Sequence, residues 1–165
     1  MLADVRYVPE TPACDLEIDA IAEEAFGPGR FARAAERVRE MARHDRSLSF
    51  VALLDGEVIG SVRQTPIAIG GVDALMLGPL AVRPAFKSRG AGKALMRLAA
   101  EAATKAGERS IILVGDPPYY EALGYRVLPR GSVLMPGPVD PARLLGLELS
   151  PGALAELRGR VTARR

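Results

Sequence analysis

Three apolar runs separated by two short turns occupy the middle of this sequence, and they constrain its fold more than any other feature. The first turn is an Asp-Gly pair at 55–56, between residues 49–54 and 58–66. Such a pair between apolar runs predicts a β-hairpin, because both central residues of a type I′ turn need positive φ. A Gly-Gly pair at 70–71 leads into a third run, residues 74–82. The pattern therefore predicts an antiparallel three-stranded meander.

Helical segments are predicted on both sides of the meander. Apolar residues recur every three or four positions over residues 15–26, and a second helix is expected at about 30–43. A longer helix at 90–106 precedes a strand at 110–114, which we expect to run parallel to the strand before that helix. These elements predict an α/β (α+β) fold with a mixed sheet and helices packed on it. The remaining predicted elements are a strand at 5–8, a short helix at 118–123, strands at 125–128 and 132–135, and a short basic helix at about 152–162.

Length and composition narrow the functional classes. The 165 residues predict a single domain over 1–165, with a core at about 4–135 and a C-terminal extension at about 136–165. A net charge of +2, 5% aromatic residues and the absence of tryptophan argue against a nucleic-acid partner. No run of about 18 apolar residues occurs, so no membrane partner is expected. One cysteine and one histidine form neither a disulfide nor a histidine-rich metal site, so we expect a cytoplasmic protein without a metal.

The lone cysteine and the lone histidine are both expected to lack a catalytic role. We interpret Cys14 as a buried or half-buried thiol, because the chain has no second histidine to serve it as a base. His44 lies in a run of charged residues at 43–46. We therefore expect it to be a solvated residue at the end of a helix.

A strand leads through a glycine-rich loop into a helix at residues 80–95. Glycines at 90 and 92 let backbone amides approach an anion, and the first turn of a helix adds unpaired amides and partial positive charge. The loop matches neither a Walker loop nor a dinucleotide-binding fingerprint. It therefore predicts a phosphate site of another kind. No acidic residue occurs between positions 74 and 100, and the cations in that stretch are Arg83, Lys87, Arg89, Lys93 and Arg97.

The same segment resembles the acetyl-CoA motif of the GNAT superfamily of N-acetyltransferases. The resemblance rests on Val-Arg-Pro at 82–84, Lys-Ser-Arg-Gly-Ala-Gly at 87–92 and Ala-Leu at 94–95. The first position of the glycine-rich part holds Lys87, where the family has Gln or Arg. Because the backbone makes the main contact there, we expect this departure to be mild.

A second segment strengthens the resemblance. Tyr-Tyr at 119–120, followed by Gly-Tyr at 124–125, is similar to the Phe-Tyr-x-x-x-Gly-Phe segment of the family. The string Gly-Asp-Pro-Pro-Tyr-Tyr at 115–120 resembles a bacterial subgroup of predicted acetyltransferases. The matching order of elements covers about residues 4–135.

The resemblance implies a mostly antiparallel sheet in which two parallel strands, the one ending at Val82 and the one at 110–114, splay apart around acetyl-CoA as co-substrate. Gly78-Pro79 would cause the splay, since proline interrupts strand pairing. Backbone groups at Leu80 and Val82 would bond the pantetheine, and an amide near Leu80 or Ala81 would polarise the thioester carbonyl. Side chains of Arg83, Arg89 and Lys93 are candidates for contacts with the CoA phosphates. The pyrophosphate would be held by the amides of Lys87, Ser88, Arg89, Gly90, Ala91, Gly92 and Lys93.

The implied reaction is direct transfer of the acetyl group to a primary amine. Tyr120 takes the family's general-acid position and would protonate the departing thiolate. The alternative for Tyr120 is a half-buried packing residue, and Tyr119 is the neighbour that could take its place. An alkylamine is almost fully protonated at neutral pH, so a general base is also expected. The candidates are Glu57, Asp73 and Asp116, of which Asp116 is nearest the predicted site in sequence.

Other functions stay open at this level. The sequence is compatible with transfer of a different acyl group from acyl-CoA. It is also compatible with a CoA-binding regulatory module without turnover, because no base is identifiable. We expect substrate selection by residues 26–31 and by the turns after Pro66 and Leu128. The expected partner is a small-molecule or peptide amine, and a homodimer is compatible with the sequence.

Overall fold

The computed structural model describes residues 4–27 and 34–164. Its helices are α1 (Asp15–Phe26), α2 (Ala34–Met41), α3 (Ala91–Lys105) and α4 (Pro117–Glu121). Its strands are β1 (Arg6–Pro9), β2 (Phe50–Leu54), β3 (Glu57–Ile69), β4 (Val72–Val82), β5 (Ser110–Val114), β6 (Arg126–Val127), β7 (Val133–Leu134), β8 (Leu144–Glu148) and β9 (Gly159–Ala163). Short 3-10 turns include Arg46–Leu48, Pro84–Phe86 and Leu154–Glu156.

The strands pair in the order β1-β2-β3-β4-β5-β8-β6, while β9 pairs with both β3 and β7. All pairs are antiparallel except β4 with β5 and β7 with β9. The helices cover both faces of this sheet. A mixed, mostly antiparallel sheet that is flanked by helices and contains a central parallel pair confirms the predicted fold class.

The meander predicted from the glycine turns is confirmed. Asp55 has a φ of 52° and Gly56 a φ of 80°, which are the left-handed values that a type I′ turn requires. The second turn joins β3 to β4, with Ile69 opposite Val72. These two turns set the register of the three strands that carry the centre of the sheet.

β4 leaves its parallel neighbour halfway along its length. It pairs with β5 only where Leu75 faces Ile111 and Met76 faces Ile112. The register of β4 against β3 shifts just beyond this point, because Gly78-Pro79 supplies one more residue than the facing stretch of β3. Pro79 therefore lies in a bulge, as its position in the strand predicts, and pairing with β5 ends three residues before it, at Met76.

α3 packs on one face of the sheet through a buried stripe of Leu95, Met96, Ala99 and Ala103. The spacing of these residues places them on one side of a helix. Burial of one large aliphatic side chain of this kind stabilises the fold by about 1.5–3 kcal/mol. The small alanines let the helix backbone lie close to the strands beneath it.

Gln64 of β3 is fully buried under α3 and bonds to several elements at once. Its side-chain amide donates to the Leu48 carbonyl at 2.8 Å and to the Ala99 carbonyl of α3 at 3.0 Å. Its backbone carbonyl accepts from the Asp45 amide at 2.9 Å, and its own amide donates to the Ser49 hydroxyl at 3.1 Å. The segment before β2 and the helix α3 are therefore both bonded to this one residue.

α1 and α2 cover the opposite face of the sheet. Ile18 and Ile21 of α1 pack with Val51 of β2, and Val38 of α2 belongs to a cluster with Met76 of β4. α2 ends earlier than predicted, and its predicted start at about residue 30 lies outside the described residues. Within the described ranges, no helix has the length and apolarity needed to cross a membrane.

The predicted C-terminal helix at about 152–162 is wrong. The structure has a short 3-10 turn followed by β9, which pairs with Ile67, Ala68 and Ile69 at the end of β3. Gly159, inside the predicted helix, has a φ of 121°. A right-handed helix has no place for this backbone conformation, so the chain turns and continues as a strand.

β8 is not predicted from the sequence, although it lies between β5 and β6 in the sheet. Gly146 interrupts its apolar run. A Cβ at this glycine would lie 2.6 Å from the Leu154 side chain and 2.8 Å from that of Leu128, so the glycine makes room for packing between distant segments. Residues beyond 135 thus complete the sheet and do not form an appendage beside the core.

Candidate active site

A cavity of about 1480 Å³ opens where β4 and β5 part. Residues 77–80 of β4 and 113–116 at the end of β5 form one side, and residues from α1, α2 and the segment 42–46 form the other. Residues 138–140 contribute part of the wall. Polar side chains in the wall include His44, Arg46, Arg63, Thr65, Tyr119 and Tyr120.

Tyr120 lies in the cavity wall on the short helix α4. Gly115 precedes this helix, and a Cβ there would overlap the Tyr120 ring, so the glycine lets the ring pack against the end of β5. The ring makes edge-on contacts with Tyr119 and Tyr125, at centroid distances of 4.9 and 6.0 Å. Burial raises the pKa of Tyr120 to about 12. The phenol therefore keeps its proton at neutral pH, as a general acid must.

The two adjacent tyrosines are in different surroundings. Tyr119 is 36% exposed, and its hydroxyl lies 3.0 Å from the position that a Cβ on Gly92 would occupy. Gly92 belongs to the first turn of α3. The Tyr119 hydroxyl therefore reaches the predicted phosphate loop, while Tyr120 is the more buried phenol.

The predicted phosphate loop runs from β4 to α3 with an exposed backbone. Residues 87–90 are exposed, and Ser88 and Gly90 have positive φ values of 63° and 93°. α3 begins at Ala91, and the Ala94 amide donates to the Gly90 carbonyl at 3.0 Å. The first three helical amides precede this bond and lack an intrahelical partner. Together with the helix dipole, they provide the geometry that binds an anion.

Leu80, Ala81 and Val82 form an edge of β4 that β5 does not cover. All three pair with β3 on one side, but pairing with β5 ends earlier, at Met76. Leu80 lines the cavity, and Ala81 is 7% exposed. The uncovered edge can therefore accept the amide groups of a ligand as an added strand would.

Arg83 is already engaged by neighbouring elements. Its Nε donates to the Val58 carbonyl at 3.0 Å, and its Nη1 donates to Glu24 of α1 at 3.1 Å. These bonds tie the end of β4 to α1 and β3. The side chains of Arg89 and Lys93, by contrast, are exposed beside the loop.

Of the three predicted bases, Asp116 alone lines the cavity. Glu57 is exposed at the turn between β2 and β3. The Asp73 side chain is 63% exposed and lies 3.6 Å from Arg164. Neither of these two carboxylates is placed to meet a substrate in this cavity.

The elements predicted to select the substrate lie only partly at the cavity. Phe26 lines it, and residues 28–33 lie outside the described residues. The turn after Pro66 instead contacts β9, where the Gly70 amide donates to the Arg160 carbonyl at 3.1 Å. The turn directly after Leu128 does not line the cavity. Residues 138–140, further along the chain, line it instead.

Sequence analysis misses a charged cluster at the cavity wall, here called the Glu10 cluster: Glu10, Asp15, His44, Arg46 and Arg63. The Glu10 side chain is fully buried, with oxygens 2.7 Å from His44 Nε2, 3.0 Å from Arg63 and 3.3 Å from Arg46. Asp15 Oδ1 lies 2.9 Å from both arginines. His44, Arg46 and Arg63 line the cavity.

The expectation that His44 is a solvated helix end is wrong, since its side chain is only 18% exposed. Burial raises the pKa of Glu10, but the hydrogen bonds of His44 and Arg63 outweigh burial and hold that pKa below its usual value. Three stretches that are far apart in the sequence supply the cluster, residues 10–15, 44–46 and 63, so no single local pattern connects its members. In the part of the chain that the structure describes, no group of three or more His, Cys, Asp or Glu side chains could hold a metal ion.

Known proteins match both this sequence and this fold. The curated relatives include the uncharacterized N-acetyltransferase YhbS of Escherichia coli K12, which is 28% identical over 113 residues. That match covers 67% of this chain and 66% of the relative, slightly less than two thirds of the relative's length.

Two solved structures share the fold. The crystal structure of YhbS from Escherichia coli in complex with CoA has a TM-score of 0.80 at 24% identity, covering 97% of this chain and 89% of that one. A GNAT family acetyltransferase from Brucella melitensis in complex with acetyl-CoA has a TM-score of 0.71 at 27% identity, covering 97% and 96%. The model of the acetyltransferase (GNAT) family matches residues 16–125. The chain therefore belongs to the GNAT acetyltransferase family.

Proposed function

We propose that this protein is an acetyl-CoA-dependent N-acetyltransferase that acetylates a primary amine of a small molecule or peptide. The observation that carries the proposal is the end of β4–β5 pairing at Met76 and Ile112. The break opens the cavity, leaves one edge of β4 uncovered and leads to Tyr120 in the wall. The Brucella melitensis structure, which contains acetyl-CoA, supports the choice of co-substrate.

The donor would be held mainly by backbone groups. The uncovered edge at Leu80, Ala81 and Val82 would bond the pantetheine, and an amide near Leu80 would polarise the thioester carbonyl. The positive φ at Ser88 and Gly90 and the open start of α3 fit a diphosphate. The amides that would surround it are those of Lys87, Ser88, Arg89, Gly90, Ala91, Gly92 and Lys93.

Tyr120 would carry the proton between nitrogen and sulfur. As the amine nitrogen attacks the acetyl carbon, a C–N bond forms, the C–S bond breaks and the sulfur takes the Tyr120 proton. A thiol has a pKa of about 8.5, well below that of Tyr120, so a lasting phenolate is unfavourable. The phenol is therefore restored at once by a hydrogen from the acylated nitrogen, which becomes acidic when the C–N bond forms.

Calorimetric titration with acetyl-CoA, followed by assay of thiol release with a panel of primary amines, tests the proposal. We expect binding and amine-dependent turnover in the wild type. Tyr120→Phe should lower kcat about 100-fold and leave acetyl-CoA affinity within about twofold. Tyr7→Phe, in β1 and outside the cavity wall, is the matched control and should keep full activity.

Two outcomes would overturn the proposal. Absence of heat at millimolar acetyl-CoA would exclude acetyl-CoA as the donor. Titration of propionyl- and succinyl-CoA would then show whether the protein binds a different acyl-CoA. Binding without turnover on any amine, unchanged by Tyr120→Phe, would instead indicate a CoA-binding regulatory module.

A further inference from the structure

We propose that His44, held in place by Glu10, is the general base that removes a proton from the acceptor amine. The inference rests on the proposed acetyltransferase function and assigns the base that the sequence does not identify. His44 is the single histidine of the 165 residues. It lines the same cavity as Tyr120.

The contact with Glu10 determines which ring nitrogen carries hydrogen. His44 Nε2 lies 2.7 Å from Glu10 Oε1, and although the pair does not have the alignment of a good hydrogen bond, two lone pairs would repel each other at that distance, so we place the hydrogen on Nε2. In the neutral ring, the lone pair is then on Nδ1. Nε2 itself is buried, so the exposed part of the side chain is the part away from Glu10. Nδ1, the proton-accepting atom, is therefore the ring nitrogen that does not contact Glu10.

Charged side chains surround His44 on the side of Glu10. The carboxylates of Glu10 and Asp15 are balanced by the guanidinium groups of Arg46 and Arg63. A proton on His44 adds one positive charge directly beside the Glu10 carboxylate. Glu10 thus acts as a positioning residue that orients the ring, as carboxylates do for histidine bases in hydrolases. The other charged residues that line this part of the cavity are Asp19 of α1, Glu36, Arg39 and Glu40 of α2, and Arg43 after it.

A second polar group marks the same wall as a place for a ligand. Thr65 of β3 lines the cavity, is fully buried, and its hydroxyl has no partner among the described side chains and backbone. Thr65 lies two residues from Arg63 on the same face of β3. Its hydroxyl is therefore an unsatisfied polar group in the cavity wall, next along the strand face to Arg63 of the Glu10 cluster.

The proton balance closes with His44 and Tyr120 in separate roles. His44 Nδ1 takes one proton from the ammonium group, directly or through water, and leaves a neutral amine. The amine attacks the thioester, CoA leaves with the Tyr120 proton, and Tyr120 recovers a hydrogen from the new amide nitrogen. His44 then releases its proton to solvent, so each turnover yields one amide, one thiol and one proton.

Kinetics of His44→Gln test the assignment, since glutamine keeps a donor toward Glu10 and removes the base. We expect kcat/KM for a lysine side-chain amine to fall about 100-fold, with acetyl-CoA affinity unchanged. At pH 8 the loss should be several-fold smaller for an α-amine, because its pKa of about 7.7–8.0 leaves much of it neutral, against about 10.4 for lysine. Glu57→Gln, an exposed carboxylate outside the cavity, is the control and should match the wild type.

A measurement on the wild-type chain avoids any effect of substitution on folding. With a single histidine and no histidine tag, ¹⁵N NMR of the imidazole gives its tautomer without ambiguity. We expect hydrogen on Nε2 and a lone pair on Nδ1 in the neutral ring; hydrogen on Nδ1 would overturn the proposal. Full activity of His44→Gln on the lysine amine would also overturn it while leaving the acetyltransferase function intact. Failure of the wild type to bind acetyl-CoA would instead remove the proposed function itself.

Discussion

The phosphate loop and the Glu10 cluster represent two different ways of building a binding region. The loop is exposed, continuous in sequence and formed by backbone amides at the start of α3. The Glu10 cluster lies around a fully buried carboxylate and joins side chains from three distant stretches of the chain. A backbone site tolerates changes of side chain as long as its φ angles are allowed. A buried side-chain cluster depends on every member, because a charge that loses its partner stays desolvated.

The largest expected effect comes from breaking the cluster. Glu10→Ala removes the buried carboxylate that His44, Arg46 and Arg63 share, so we expect the free energy of unfolding to fall by about 3 kcal/mol. Asp15 still pairs with both arginines, which keeps the loss at the lower end of the roughly 3–5 kcal/mol that breaking a buried ion pair costs. Urea unfolding monitored by circular dichroism measures the change.

The pH dependence of this loss checks its electrostatic origin. The folded-state pKa of Glu10 is lowered, so its contribution is present above the unfolded pKa of about 4.3 and is lost as pH falls through the lower folded value. The difference between wild type and Glu10→Ala should therefore shrink below about pH 4. Glu57→Ala, in an exposed turn, is the control; a loss as large as that of Glu10→Ala would contradict the comparison.

The next largest effect is expected at the loop. Gly92→Asp places a Cβ 3.0 Å from the Tyr119 hydroxyl and a negative charge beside the proposed diphosphate. We expect acetyl-CoA affinity to fall about 30-fold, or 2 kcal/mol, with little change in stability. Gly92→Ala, titrated in parallel, separates the steric part from the charge, and equal losses in the two variants would argue against an anion at this helix start.

The smallest effect should come from a loop side chain. Lys93→Gln removes an exposed cation next to backbone amides that remain in place, so we expect affinity for acetyl-CoA to fall only about threefold to tenfold and the difference to fade with added salt. Arg97→Gln, one turn further along α3 and paired with Glu101 at 4.0 Å, is the control. A loss of 100-fold at Lys93 would show that side chains, and not the backbone, dominate donor binding.

The features that could be predicted from the sequence are those encoded locally. Asp55 and Gly56 have the φ values of the predicted turn, and Pro79 lies in the bulge of β4 just beyond its last pair with β5. The order from a strand through a glycine-rich loop to a helix is likewise read from consecutive residues. The resemblance to the GNAT family agrees with the family match over residues 16–125.

The features that could not be predicted depend on contacts between distant residues. β8 is not predicted because Gly146 interrupts its apolar run. The reason for a glycine at this position is found only in the side chains of Leu128 and Leu154, which fill the space beside it. His44 lies in a run of charged residues that is typical of a solvated segment, but its partner Glu10 lies 34 positions earlier in the sequence. Periodicity and spacing within a segment carry no information on such pairs.

Gln64 has a consequence for communication between the two halves of the site. Its side chain bonds the carbonyl of Ala99 in α3, while its backbone carbonyl holds the amide of Asp45, the residue next to His44. Gln64 therefore holds both α3, at the start of which the donor would bind, and the segment that carries His44. A shorter side chain at this position would lose the bond to α3. The helix and the segment of His44 could then move independently, and the reacting groups would be less well aligned although neither binding surface had been altered.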